Sequence, residues 1–174
     1  MAVTNEVNRS YLQFLLFTGL RRSEAAMLKW SDIDLVDKTI NINQTKNNLP
    51  HCLPLSSFLD VLLQSAKETQ LNEYVFPADT QVGYLTEPRY AMAQVIKESG
   101  INFQLHDLRR TFVTVAESLD IPAYALKQLI NHKDPNDVTR RYIVSDVNRI
   151  REPMERISEY LLLQIYPDEV VDAE

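Results

Sequence analysis

The stretch "LHDLRRTFVT" (Leu105–Thr114) reads as one face of a helix. Leu105, Leu108, Phe112, Val115 and, further on, Leu119 recur at three- and four-residue steps, the spacing of an apolar stripe that faces a core. His106 and Arg109 sit beside that stripe, one turn apart. With Leu105 at zero on a helical wheel, Arg109 falls about 40° away, inside the rim of the apolar face. Arg110 falls about 140° away, near Thr114 and Glu117. Arg110 is therefore expected on the surface. Arg109 is drawn toward a partly dry place, where a guanidinium needs an anionic or multi-acceptor partner. That partner is either a structural carboxylate, such as Glu24, or a bound anion.

Working outward, the chain supplies more helices. Asn5–Phe17 reads as a helix closed by Thr18–Gly19, and a short helix follows from about Arg22 to Lys29. "DKTININQ" alternates, with Ile40 and Ile42 inward, which predicts a strand. "TKNNLP" is a turn, since paired asparagines tolerate left-handed backbone. "HCLPL" returns as a second strand, and "YVFP" is a candidate third. Further helices are expected over Ser57–Glu68, Pro88–Ser99, His106–Leu119, Pro122–Ile130 and Val147–Ile165. The expected fold is mainly α with a small antiparallel β-sheet, an α+β domain.

Composition bounds the rest. The 174 residues make one ordinary domain, with 45% apolar and 24% charged residues, a soluble globular profile. No glycine-rich linker and no repeat divides it. A single cysteine, Cys52, excludes an intramolecular disulfide and suits a reducing cytoplasm. No basic segment followed by an apolar run starts the chain, so no signal peptide is expected. The longest apolar run, near "YLLLQIY", is too short to span a bilayer. The net charge is −6, which by itself argues against a nucleic-acid partner. Acidic residues crowd the tail "YPDEVVDAE", however, while "GLRR", "LRR", "TRRY" and "NRIR" form basic islands able to hold phosphates.

Three further cues accompany the first helix. "FTGLRRSEAAMLKW" (Phe17–Trp30) puts a glycine break and then Arg21 and Arg22 at a helix start, where free N–H groups favour anions. "LINHKDPNDVTRRY" (Leu129–Tyr142) holds His132 after a short apolar helix and Tyr142 ten positions on, with a break at "DPN" between them. Lys46 sits in the hairpin turn "QTKNNLP". Each has a bland reading: a charged helix start, a capping histidine, a core tyrosine, a solvated lysine.

Taken in order, these segments resemble the catalytic domain of the tyrosine recombinases, the phage integrase family. "TGLRRSEAAMLKWSDIDL" is similar to that family's first arginine box, "LHDLRRTF" to its His-x-x-Arg box, and "LINHKDPNDVTRRY" to its terminal His-to-Tyr box. The hairpin lysine falls between the first and second boxes. The resemblance implies six catalytic residues: Arg21, Lys46, His106, Arg109, His132 and Tyr142. Two departures stand out. Asn131 occupies a place where glycine commonly precedes the histidine, and the turn reads "KNNLP" where many members have glycine. The resemblance also implies that this chain is a catalytic domain lacking the family's N-terminal core-binding domain, with a C-terminal helix and acidic tail over about 147–174.

The implied activity is site-specific recombination of double-stranded DNA in the cytoplasm. Arg21, Arg109 and His132 would grip the nonbridging oxygens of a phosphodiester, and fixed donors aimed at developing charge are a large catalytic term. Tyr142 would attack phosphorus and form a 3′-phosphotyrosyl link. Lys46 would protonate the leaving 5′-oxygen, with His106 assisting proton transfer at the tyrosine. The link preserves the bond's energy, so no ATP is needed. The carboxylates show no ligand spacing, so no metal or other cofactor is implied. The resemblance further implies a tetramer of identical chains on DNA, with the C-terminal segment "VNRIREPMERISEYLLLQIY" either exchanged between protomers or packed on its own core. Alternatives are a type IB topoisomerase-like strand transferase, a DNA-binding factor without catalysis, and a helical interaction module with no nucleic-acid partner.

Overall fold

The computed structural model describes residues 5–43, 45, 51–132 and 146–167, and among them seven α-helices accompany a three-stranded sheet. Helix α1 (Glu6–Thr18) starts at Asn5, whose side chain accepts the Asn8 N–H at 3.1 Å, and ends at Gly19 with φ +62°. Helix α2 (Arg22–Ala26) follows after three residues. It is shorter than the sequence predicts. The chain beyond Met27 turns to hydrogen-bond a later segment: Val75 N–H donates to Leu28 O and Trp30 N–H to Glu73 O, both at 3.0 Å.

The sheet has the order β1 (Ile33–Asp34), β2 (Thr39–Ile42), β3 (His51–Pro54), with both pairs antiparallel. Ile40 faces Leu53 and Ile42 faces His51 in register. Ile40, Ile42 and Leu53 are buried, as the alternation predicts. "YVFP" is not the third strand. Tyr74 makes one isolated bridge with Lys29, while Asn72 ties the segment locally by accepting Tyr74 N–H and donating to Gly83 O. The third strand is Ile33–Asp34, two residues that periodicity is too short to reveal.

Helices α3 (Ser57–Glu68), α4 (Arg89–Ser99), α5 (Leu105–Ser118) and α6 (Ala123–Leu129) lie within a residue of their expected limits. The C-terminal segment divides into a 3-10 turn, Val147–Ile150, and helix α7 (Arg151–Ile165). Pro153 falls in the first turn of α7, where its missing N–H costs nothing.

Within the single chain, α7 packs against the rest of the domain. Ile150, Met154 and Ile157 are fully buried. Its polar side reaches back as well. Glu155 accepts the Ser57 N–H that starts α3, Arg151 donates to Asp37 O and Lys38 O, and Ser158 Oγ meets Ser56 Oγ at 2.7 Å in the interior.

The core centres on α1 against α5. Tyr11, Phe14, Phe17 and Phe112 are fully buried, and Phe76 packs on Tyr11 and Phe14 with ring centroids 5.1 and 5.2 Å apart. Gly19, which ends α1, lies hard against Phe112 of α5. A Cβ there would lie 2.6 Å from Cδ1 of Phe112, and the backbone is left-handed. Gly19→Ala therefore combines a left-handed penalty with overpacking, and should cost about 2–4 kcal/mol. A urea titration that leaves the unfolding midpoint of Gly19→Ala at the parent value would show that this contact is not tight.

Candidate active site

The site is built where three helix ends meet: the C-terminus of α1, the start of α5 and the C-terminus of α6. Arg109 joins them. Its Nη1 donates to Gly19 O at 2.6 Å and its Nη2 to Ile130 O at 2.7 Å. The residue is 8% exposed, as its wheel position predicts, while Arg110 is exposed and pairs with Asp107 at 2.9 Å. Arg109 takes backbone carbonyls, not the Glu24 carboxylate, as its direct hydrogen-bond acceptors. Helix C-termini present carbonyls without intrahelical partners and a negative dipole end, so a forked cation suits them. Burial pushes the Arg109 pKa down to about 10, helped by repulsion from Arg21 and opposed by Glu24. The guanidinium stays charged at neutral pH.

Arg21 lies just before α2. Glu24, buried at the third position of the helix, accepts the Arg21 N–H at 3.0 Å and Nη1 at 2.9 Å. One carboxylate thus fixes both the backbone and the side chain of Arg21. The Arg21 side chain keeps 24% exposure while Glu24 keeps 2%, so the arginine is presented toward solvent from a buried footing. Arg22 points elsewhere, toward Glu87 at 3.7 Å.

His132 follows α6 through a tight turn. Asn131 adopts φ +46°, its N–H donates to Gln128 O at 3.3 Å, and the His132 N–H donates to Lys127 O at 3.0 Å. This is the paired bonding of a Schellman turn, whose left-handed position favours glycine and next asparagine. The Asn131 departure thus preserves the backbone geometry that glycine would give. His106 is exposed in the first turn of α5. Its neighbour Asp107 caps that turn, accepting Gln104 N–H at 2.8 Å, a bond that holds its carboxyl below the usual range, with Arg110 adding to the effect. Lys46 and Tyr142 lie outside the described residues, as do the hairpin turn and the "DPN" break.

Sequence reasoning missed one residue. The chain has three histidines, and His51 went unassigned. It is 5% exposed, and its Nε2 lies 2.9 Å from Gln128 O. Since a carbonyl only accepts, Nε2 carries the proton. Desolvation drives the His51 pKa down to about 4; the Gln128 bond and Glu24 oppose that, and Arg109 and Arg21 add to it. The available signal was register: His51 is the rung partner of Ile42 and shares its inward face.

The comparisons with known proteins agree with this architecture. The Phage integrase family matches residues 1–149. The prophage integrase IntF of Escherichia coli strain K12 is 31% identical over 166 residues, covering 92% of this chain and 36% of its own length. The integrase from mycobacterium phage Brujita superposes with a TM-score of 0.69 at 18% identity, covering 89% of this chain and 53% of that one. A lambda integrase(75-356) dimer bound to a COC′ core site gives 0.62 at 24% identity, covering 76% and 52%. The chain belongs to the phage integrase family. It spans 36% to 46% of the length of the curated relatives it matches.

The buried His51 makes a pH prediction. Its pKa is about 4 in the fold against 6.5 ordinarily. Between those values the unfolded chain binds a proton that the folded chain refuses. Stability is therefore full above about pH 6.5 and falls as pH drops toward 4, by up to about 1.4 kcal/mol per pH unit. Urea unfolding across this range should show a gentler acid slope in His51→Gln than in the parent. Parallel slopes would mean that His51 titrates normally.

Proposed function

We propose that this chain is the catalytic domain of a tyrosine site-specific recombinase, which cuts and rejoins double-stranded DNA in the cytoplasm. The observation that carries the reading is the pairing of two guanidiniums. Arg109 is buried within repulsive reach of Arg21, with Glu24 the carboxylate opposing that repulsion. Gathering two cations around one carboxylate, in a chain of net charge −6, leaves a local positive excess that an anion would relieve. A phosphodiester fits, because each arginine offers parallel N–H donors to nonbridging oxygens.

In this reading Tyr142 is the nucleophile. Its oxygen forms a bond to phosphorus as the bond to the 5′-oxygen breaks, leaving the DNA 3′-phosphate on the tyrosine. Arg21, Arg109 and His132 stabilise the charge that builds on the nonbridging oxygens. Lys46 delivers a proton to the departing 5′-oxygen, and His106 assists removal of the tyrosine proton. Attack by another 5′-hydroxyl reverses the step and joins new partners, with no ATP. Recombination then needs four such chains on two duplexes, so a tetramer on DNA belongs to the proposal. The lambda integrase tetramer bound to a Holliday junction, which this fold matches with a TM-score of 0.61 at 24% identity, supports that assembly.

Mixing the chain with nicked duplex DNA and resolving products in SDS tests the assignment. A covalent adduct is expected, and Tyr142→Phe should abolish it while leaving the fold and DNA binding intact. An adduct mapped to Tyr124 or Tyr160 would refute the nucleophile. Arg109→Ala should lose more adduct than Arg110→Ala, because only Arg109 reaches the site. Equal losses would refute that placement.

The lysine has its own test. A 5′-bridging phosphorothiolate has a leaving sulfur that needs no proton. Lys46→Ala should lose about two to four orders of magnitude on ordinary DNA and recover on the sulfur substrate. Arg21→Ala should not recover, since sulfur does not replace charge stabilisation. Equal rescue of both variants, or none for Lys46→Ala, would remove Lys46 from the role of acid.

A further inference from the structure

His51 stands outside the six residues above, yet it holds the turn that leads into one of them. Its imidazole is 5% exposed, and its Nε2–H donates to Gln128 O at 2.9 Å, from the first residue of β3 to the end of α6. Its Nδ1 is buried and meets no partner among the described residues. A ring with one bond made and one nitrogen unsatisfied is a costly choice for a strand position that an aliphatic residue could fill. What an aliphatic residue would lack is the bond to Gln128.

That carbonyl lies inside the turn that ends α6. The helix is seven residues long, too short to keep its direction without tertiary ties. In the Schellman turn that closes it, Asn131 N–H donates to the same Gln128 O at 3.3 Å and His132 N–H to Lys127 O at 3.0 Å. His51 therefore makes the shorter of the two bonds to Gln128 O. Two residues on, Ile130 O accepts from Arg109 Nη2 at 2.7 Å. The turn is gripped from two elements, by β3 at Gln128 and by α5 at Ile130. Held at one carbonyl it could swivel about that bond. Held at two, it has one orientation, and the residue it presents next is His132.

We propose that His51 is a positioning residue which, through its Nε2–H bond to Gln128 O, fixes the turn over residues 128–132 so that the His132 imidazole meets the phosphodiester oxygens beside Arg21 and Arg109. The proposal rests on the reading of His132 as a donor to those oxygens. The groups of charge facing the ring are Glu24 from α2, Arg21 before that helix and Arg109 from α5. A lysine or arginine in this place would set a third cation beside the two arginines. Burial keeps the imidazole neutral, so it ties the turn without adding charge.

The test compares three variants. His51→Leu removes the donor. His51→Gln restores an N–H at about the reach of Nε2, and His51→Asn carries its amide one methylene short of that reach. A misplacement of about 1 Å lowers rate by about a hundredfold, so adduct formation in His51→Leu and His51→Asn should fall by about that much, while His51→Gln stays near the parent. In a His132→Ala background, His51→Leu should cause no further loss, because the group it positions is gone. Losses that multiply in the double variant, or equal losses in His51→Asn and His51→Gln, would overturn the proposal. Should His51→Leu fail to fold, the contrast between His51→Asn and His51→Gln decides.

Two readings stand apart from cleavage. The chain has three histidines, so their nitrogen-15 ring signals are readily told apart. In the parent, the His51 ring should carry its proton on Nε2. The His132 signals should shift in His51→Leu and His51→Asn and hold in His51→Gln, with His106 at the start of α5 unmoved throughout. A proton on Nδ1, a His132 signal unmoved by both losses, or a His106 signal that moves as far as His132 overturns the proposal whether or not an adduct forms. A parent chain without adduct, or a His132→Ala variant as active as the parent, counts against the reading of the site instead.

Discussion

The guanidinium of Arg109 is the joint on which the molecule turns. Each of its two forks takes a carbonyl left over at a helix terminus, Gly19 O after α1 and Ile130 O after α6. Charge-assisted bonds of this kind are worth more than neutral ones, and their loss would leave two carbonyls desolvated without donors. The same helix brings Phe112 onto the bare Cα of Gly19, so α1 and α5 meet at a spacing that only glycine allows. On the other side, Ile130 leads through left-handed Asn131 into His132. One arginine therefore sets the distance between the segment holding Arg21 and the turn holding His132.

Electrostatics follows from that geometry. The chain carries a net charge of −6, yet Arg21 and Arg109 share the single carboxylate of Glu24. Glu24 is buried and engages Arg21 twice, so that arginine keeps its place even though Arg109 repels it. The ring of His51 stays uncharged beside them. The result is a pair of cations held by one carboxylate and two backbone carbonyls, with an uncharged ring near them.

The sequence made much of this legible, and the reasons are physical. The helical stripe through Leu105, Phe112 and Val115 told Arg109 from Arg110 because a helix has one period and one buried face. Thr18–Gly19 marked the end of the first helix because a left-handed turn accepts few side chains. Other features depend on contacts between distant segments, and no local pattern encodes them. Thus Arg109 finds two carbonyls 90 and 21 residues away, where the sequence offered Glu24 as its structural partner. Likewise "YVFP" has strand composition yet lies beside residues 28–30, and the actual edge strand is two residues long. His51 escaped notice because one histidine in a strand has no rhythm of its own; its meaning comes from α6, 77 residues on.

The embrace of α7 has a bearing on time. Met154 and Ile157 are sunk in the core, Glu155 holds the start of α3, and the two serines Ser56 and Ser158 meet where water does not reach. Lifting this helix out would uncover apolar surface and strand those polar groups together, so it would require something close to global opening of the domain. Such openings are rare and slow on the scale of diffusional encounters between chains. An encounter between chains that leaves residues 151–165 seated avoids that cost. If α7 were ever traded between copies, the exchange would be slow and, once made, long-lived, a commitment rather than a handshake.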